Sequence, residues 1–315
     1  VNHPVLSALI PVVILVAIGF VAGRANWIRA EASKDLANLV FMVLTPALMF
    51  RTMSRVHVEQ LDFRPVAAYF VAVFILFAAT LIWQGFNRRA AVLALACTFS
   101  NTVMIGIPLV ELAYGPKGLV ILLTLISLHS LVLLTLGTVV LELAVAREGA
   151  SSVQRGPQQM VLTVLAAMRN AVLQPVPLPI IAGLLFAQTG WLIPEAVDKP
   201  LQWLGSAFGP LALLLVGVTL ATTSIGSELR GALALAGAKN LLHPALVALL
   251  GWLLGLAGLP LVVMVVAAAL PIGANVFLFS QRYAVAENQV TAGVAVSGGL
   301  ALLSLSLVML LVGFL

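Results

Sequence analysis

Ser100-Asn101-Thr102-Val103-Met104-Ile105-Gly106-Ile107-Pro108 interrupts an otherwise apolar segment with polar residues, a glycine and a proline. A second interruption, Leu270-Pro271-Ile272-Gly273-Ala274-Asn275, lies in the other half of the 315-residue chain. Pro108 and Pro271 are 271 − 108 = 163 positions apart, so each break takes a matching place in its own half. The match predicts a duplicated unit, broken once in each copy.

The surroundings of these breaks set the class. Hydrophobic residues make up 62% of the chain and charged residues 9%, with a mean hydropathy of +1.15. No soluble core needs so much apolar surface. Apolar stretches recur at about 20 residues, the length that crosses a hydrocarbon layer of roughly 30 Å. They are continuous rather than alternating, which excludes a β-barrel and predicts an all-α membrane protein. The net charge of +5 sits in short loops and reports orientation, not a nucleic-acid partner. Cys97 is the only cysteine, so neither a disulfide framework nor a thiolate metal site is expected. No metal or cofactor is expected. Residues 5–23 read as a retained span, because no basic region precedes them and no small-residue cleavage site follows.

Ten spans are expected, at 5–23, 35–53, 65–86, 91–114, 118–143, 172–190, 201–222, 232–256, 260–281 and 289–313. They divide into a five-helix unit over 1–146, a cytoplasmic connector over 147–165 and a second five-helix unit over 166–315. Pro11 and Pro175, Gly19 and Gly183, and Pro46 and Pro210 each recur at a shift of 164. Five spans per copy force the copies to enter the membrane from opposite sides, giving two inverted repeats in which helices 4 and 9 are broken and cross. Loops after odd-numbered spans carry ten Lys or Arg and the others five. The odd loops are therefore placed in the cytoplasm and both termini outside. Arg51, Arg55 and Arg64 in the first external loop run against this.

A proline within a spanning helix removes a backbone donor and displaces a carbonyl one turn earlier. Non-helical backbone at membrane depth survives only when buried in protein or lining a wet cavity. Two crossing breaks aim half-helix N-termini at a common point, which suits a carboxylate. Candidate substrate contacts are Asn101, Gly106 and Pro108 in the first break and Pro271, Gly273 and Asn275 in the second. Simple proline kinks and interhelical asparagine bonds are the competing explanation.

Lys239 lies about nine residues into the eighth span, roughly 13 Å deep at 1.5 Å per residue. Either it snorkels to the interface or, since an ammonium at that depth costs about 2.5–3.5 kcal/mol, it faces the bundle and an anionic partner. Lys239, to neutralise the second charge of a dicarboxylate, and His243, on the same helical face at i+4, join the substrate-binding candidates. His129, inside the fifth span, is a proton-coupling candidate or a structural hydrogen-bonding group. Glu111 reads as an interfacial, solvated group or a functional one. Trp27, Trp83, Trp191 and Trp252 fall near span ends, where tryptophan anchors helices. Catalytic motifs are missing: no paired intramembrane carboxylates, no His-Glu-x-x-His, no phosphate-binding glycine loop. An enzyme is not expected.

The run from Asn101 to Leu109 resembles the fourth-span signature of the auxin efflux carrier family, within the bile-acid, arsenite and riboflavin transporter superfamily. Leu44-Thr-Pro46-Ala-Leu-Met-Phe50, the stretch Gly209–Gly217 and Ala268-Ala-Leu-Pro271-Ile-Gly-Ala-Asn275 agree with it, and Lys239-Asn-Leu-Leu-His243-Pro244 is similar to its bacterial malonate-transporter branch. The resemblance implies ten helices in two inverted repeats, an elevator-type alternation, organic-anion substrates, and a site at Asn101, Pro108, Pro271 and Asn275. Gln174-Pro175 stands where many members have Asn-Pro, and the long central loop of the plant carriers is missing. The expected function is secondary transport of a small carboxylate, such as malonate, across a bacterial inner membrane. Its partners are that substrate and membrane lipids. The coupling ion, H+ or Na+, and a homodimer stay open. A cation/proton antiporter and a non-transporting membrane sensor are the alternatives.

Overall fold

A computed structural model describes residues 4–57, 59, 61–148, 157–172, 175–223, 226 and 228–313. Gln174, Arg155 and the connector residues 149–156 lie outside them. The described residues form α1 (Pro4–Arg24), α2 (Ala30–Leu39), α3 (Thr45–Met53), α4 (Arg64–Gln84), α5 (Arg88–Thr98), α6 (Ile107–Glu148), α7 (Pro157–Val172), α8 (Pro177–Gln188), α9 (Glu195–Thr222), α10 (Leu229–Gly237), α11 (His243–Leu253), α12 (Leu259–Ala269), α13 (Asn275–Arg282) and α14 (Glu287–Val312). No strand occurs among them. Helix α7 covers positions expected in the connector, and the anticipated boundary at 165/166 falls inside it.

Among the described residues six segments are long and apolar enough to cross a membrane: Glu31–Met53, Arg64–Gln84, Thr102–Glu148, Glu195–Thr222, Leu229–Leu253 and Glu287–Val312. Shorter apolar helices cover Leu9–Arg24, Pro177–Gln188 and Gly258–Ala269. The 42 residues of α6 would reach about 63 Å as one rod. Gly115, at φ 63° and ψ −162°, breaks it there, with Pro116 opening the continuation. Ten uninterrupted rods are therefore not what the chain forms, and the expected fourth and ninth spans are each in pieces.

Proline explains three irregular turns. The segments Val40–Leu44, Thr102–Gly106 and Ala238–Leu242 are π-helical, and each precedes a proline, at Pro46, Pro108 and Pro244. The residue before each proline donates five positions back, Thr45 to Val40, Ile107 to Thr102 and His243 to Ala238. The widened turn clears the ring and re-satisfies carbonyls that the missing N–H would orphan.

The real interruptions differ in character. Helix α5 ends at Thr98 and helical structure resumes at Thr102, while α12 ends at Ala269 and α13 starts at Asn275. Between them Ser100 and Ile272 form an isolated antiparallel bridge. Asn101 N donates to the Pro271 carbonyl at 2.8 Å and Gly273 N to that of Phe99 at 2.9 Å. This corrects the sequence-based register: Pro271 lies in its break, but Pro108 sits beyond the other, behind the π turn. The facing residues are 272 − 100 = 172 positions apart, not 163.

Two groups of helices pack around this junction, joined chiefly where α1 of one touches α6 and α14 of the other. Helix α1 lies along α9, α3 against α8 and α9, and α2 on α9. In the other group α4 packs on α5 and α11, α11 on α12, α10 on α14, and α12 on both α6 and α14. Each group draws on both halves of the sequence.

Glycines make two contacts in the first group unusually close. A Cβ at Gly19 of α1 would run into the Leu214 carbonyl of α9, and one at Gly183 of α8 would meet the Phe50 carbonyl of α3 at 2.7 Å. Gly183 and Gly19 differ by 164, and so do Leu214 and Phe50. The same contact is made twice at one shift. Outside, large apolar side chains face away from the protein, and all five tryptophans are exposed, Trp252 least at 67%. Arg51 and Arg55 both bond Asp198, at 2.8 and 2.9 Å.

Candidate functional site

A cavity of about 400 Å³ lies where the two helix groups meet. The crossing segments form one wall, with Ser100, Asn101 and Thr102 from the first and Pro271, Gly273 and Asn275 from the second. Opposite stand Ser33 and Phe41 from around α2, Val176 before α8, and Leu215 and Thr219 of α9. The polar lining is hydroxyl and amide; among the described residues no charged side chain lines it.

Each polar lining group has a structural cause. Asn101 caps the helical turn beginning at Thr102: its Oδ1 accepts from Met104 N at 3.3 Å, which leaves its two amide N–H donors for a ligand. Asn275 opens α13. Both helical continuations thus start at the cavity, where their N-terminal partial charges favour an anion. Gly273 is small because Phe99 lies against it; a Cβ there would come within 2.7 Å of the ring.

The same crossing also gathers two helix C-termini, which are unfavourable to an anion unless neutralised. At the end of α5 the Thr98 hydroxyl donates to the Ala94 carbonyl at 2.9 Å. At the end of α12 Lys239, fully buried, donates from Nζ to the carbonyls of Ala268 at 2.5 Å and Leu270 at 2.7 Å. A cation at a helix C-terminus is the favourable arrangement. Snorkelling is excluded, and Lys239 is not in the cavity wall.

Four sequence candidates line the cavity together: Asn101, Pro271, Gly273 and Asn275. The others lie elsewhere. Gly106 lets its turn approach the Leu270 side chain, 2.7 Å from where a Cβ would stand. Pro108 packs towards Gly209 of α9. His243 is buried against Tyr69, with ring centroids 5.1 Å apart and neither nitrogen hydrogen-bonded to protein. His129 lies behind Ser100, between Phe99 and Tyr69 at 4.7 and 5.9 Å. Glu111 is exposed.

Several contributors carried no obvious sequence signal. The Ile272 N–H is accepted by Ser297 Oγ of α14 at 3.1 Å, and Asn240 bonds the Ser297 carbonyl at 2.9 Å and Ser304 Oγ at 3.2 Å. Ser100 Oγ shares a hydrogen bond with the Tyr69 hydroxyl at 3.0 Å. Glu142, buried in α6, accepts from the Tyr283 hydroxyl at 3.0 Å. A lone carboxylate between leucines was the one available sign.

Comparison with known proteins accounts for this architecture. Residues 4–309 match the model of a family described as membrane transport protein. The chain belongs to that family. It is 23% identical over 340 residues to auxin efflux carrier component 8 of Arabidopsis thaliana, covering 93% of each chain. A Rhizobium meliloti (strain 1021) protein named "Putative malonate transporter" is 26% identical, covering 90% of this chain and 88% of that one. The uncharacterized transporter YfdV of Escherichia coli (strain K12) is 23% identical, at 92% and 91% coverage. Members of this auxin efflux carrier family are transporters, and this family member is an integral membrane transporter, not an enzyme.

Proposed function

We propose that the chain is a secondary active transporter of small organic anions, with a dicarboxylate such as malonate held at the crossing of the interrupted helices. The observation carrying this is the cavity onto which two helix N-termini and the Asn101 and Asn275 amides converge. A dicarboxylate is favoured over other anions by the Rhizobium meliloti relative. Lys239 answers the α12 dipole from behind, so the cavity experiences a net positive field without a charged side chain in its wall.

The chain is read as two inverted five-helix repeats. The twice-made glycine contact at shift 164 supports this. So does the equal length of α5 and α12, 11 residues each, or about 16 Å, half of a hydrocarbon core of roughly 30 Å. Their ends then meet near mid-membrane. The cavity's position between two helix groups supports an elevator-type alternation, one group sliding past the other. A bacterial inner membrane with both termini outside is the proposed setting. Arg51 and Arg55 pair with Asp198, but the positive-inside count is of Lys and Arg, so these residues still run against that orientation.

Counterflow in proteoliposomes tests the function: vesicles preloaded with unlabelled malonate should accumulate labelled malonate transiently, and vesicles without protein should not. Absence of counterflow for malonate and for other small carboxylates would remove the anion-carrier reading.

A further inference from the structure

In an antiparallel pair of the kind formed by Ser100 and Ile272, the facing residues do not bond each other, so their own N–H groups point outward. Each has found a different acceptor. The Ile272 N–H uses the Ser297 hydroxyl at 3.1 Å, while the Ser100 N–H points to Nε2 of His129 at 3.4 Å. A serine oxygen accepts at any pH. An imidazole nitrogen accepts only while unprotonated, so this contact suits a neutral His129 with its proton on Nδ1.

His129 is 1% exposed, and its Nδ1 has no hydrogen-bond partner among the described residues. Its surroundings include Phe99 after α5, Tyr69 of α4, His243 of α11 on the same tyrosine, and Lys239 in the turn before α11, whose Nζ holds the Leu270 carbonyl next to Pro271. Cys97 of α5 is near Lys239. Among the described residues no carboxylate contacts either ring. A second cation beside Lys239 is therefore opposed unless a negative charge arrives. Phe99 and Ser100, which contact His129, and Ser130, next to it in α6, all line the cavity where an anion would bind.

We propose that His129 is the proton-binding site of this transporter, loaded together with the anion. The inference rests on the carboxylate reading of the cavity. A proton taken at Nε2 turns an acceptor into a donor facing the Ser100 N–H, so Ser100 must shift within the crossing. The bound carboxylate supplies the charge that makes the imidazolium tolerable. By reciprocity, the proton strengthens anion binding as much as the anion strengthens proton binding. Affinity therefore rises as pH falls, and the translocated species is anion plus proton.

Calorimetric titration of malonate and of acetate into the purified protein in lipid nanodiscs, repeated in buffers of different protonation enthalpy, counts protons taken up on binding. The wild type should take up about one proton per anion, and folded H129Q, which keeps an acceptor for the Ser100 N–H, about none while still binding malonate. His129→Asn serves if H129Q does not fold. Malonate binding to the wild type without proton uptake overturns the proton site and leaves the carboxylate reading standing. Uptake undiminished in the folded His129 variants, or abolished by His243→Gln alone, overturns the assignment to His129. If neither anion binds at any pH, the carboxylate reading falls and the proposal falls with it.

Discussion

Ser100 and Ile272, 172 positions apart in sequence, face each other as an antiparallel pair, and a shift of 172 turns one of their flanking hydrogen bonds into the other. Asn101 N to the Pro271 carbonyl becomes Gly273 N to the Phe99 carbonyl. The junction is thus symmetric at the level of the backbone. Its surroundings are not: one outward N–H meets an imidazole and the other a hydroxyl, and one helix end is capped by threonine and the other by lysine. The shared backbone plan fits the proposed duplicated unit, and the side chains around it differ between the two halves.

Facing residues of this pair type have Cα atoms about 4.5 Å apart, within the range that a disulfide spans. Replacing Cys97 by alanine and introducing S100C with I272C should give a protein that oxidises readily to an intramolecular disulfide, seen as resistance of both thiols to alkylation in unreduced samples. Single-cysteine controls should stay reactive after denaturation. Failure to crosslink would place the two segments apart.

The glycine contacts are testable by adding one carbon. Ala at Gly19 or Gly183 forces a backbone carbonyl on a neighbouring helix to move, and overpacking of this kind costs about 1–3 kcal/mol. Ala at Gly299, where nothing lies within 4 Å, should be neutral or slightly stabilising in a helix. Thermal melting in detergent should therefore fall for G19A and G183A and hold for G299A. Equal behaviour of all three would show that the close approach of α1 to α9 and α8 to α3 is not made.

Much of this was legible in the sequence, and the failures have physical causes. The bilayer class follows from composition, and Pro271 marks its own break because the proline lies within the unwound segment. Pro108 misleads: a proline disturbs the helix upstream of itself, and here the π turn absorbs that disturbance while the chain unwinds earlier still, at Phe99 to Asn101. The depth of Lys239 announced a buried cation, but its partners are main-chain carbonyls, which no residue type reveals. Ser297 gave no sign because serine is an ordinary resident of apolar helices and matters here only through the register of α14.

Lys239 separates two kinds of electrostatic help. Methionine in its place keeps the bulk but leaves the carbonyls of Ala268 and Leu270 without their donor, at about 1–3 kcal/mol for a buried unsatisfied group. Lys239→Met should lower the melting temperature, and because Lys239 is not part of the cavity lining, affinities for acetate and malonate should fall by similar factors, about tenfold for each 1.4 kcal/mol transmitted to the site. A loss confined to malonate would mean that the ammonium reaches the second carboxylate directly.

The location of a bound carboxylate is the most direct measurement of all. An experimental structure of the protein with malonate should show the anion in the cavity between the two helix groups, one carboxylate within hydrogen-bonding reach of the Asn101 and Asn275 side chains and the Ser100–Ile272 pair beside it. Malonate bound away from both asparagines, or helices running unbroken through residues 98–107 and 269–275, would contradict the account.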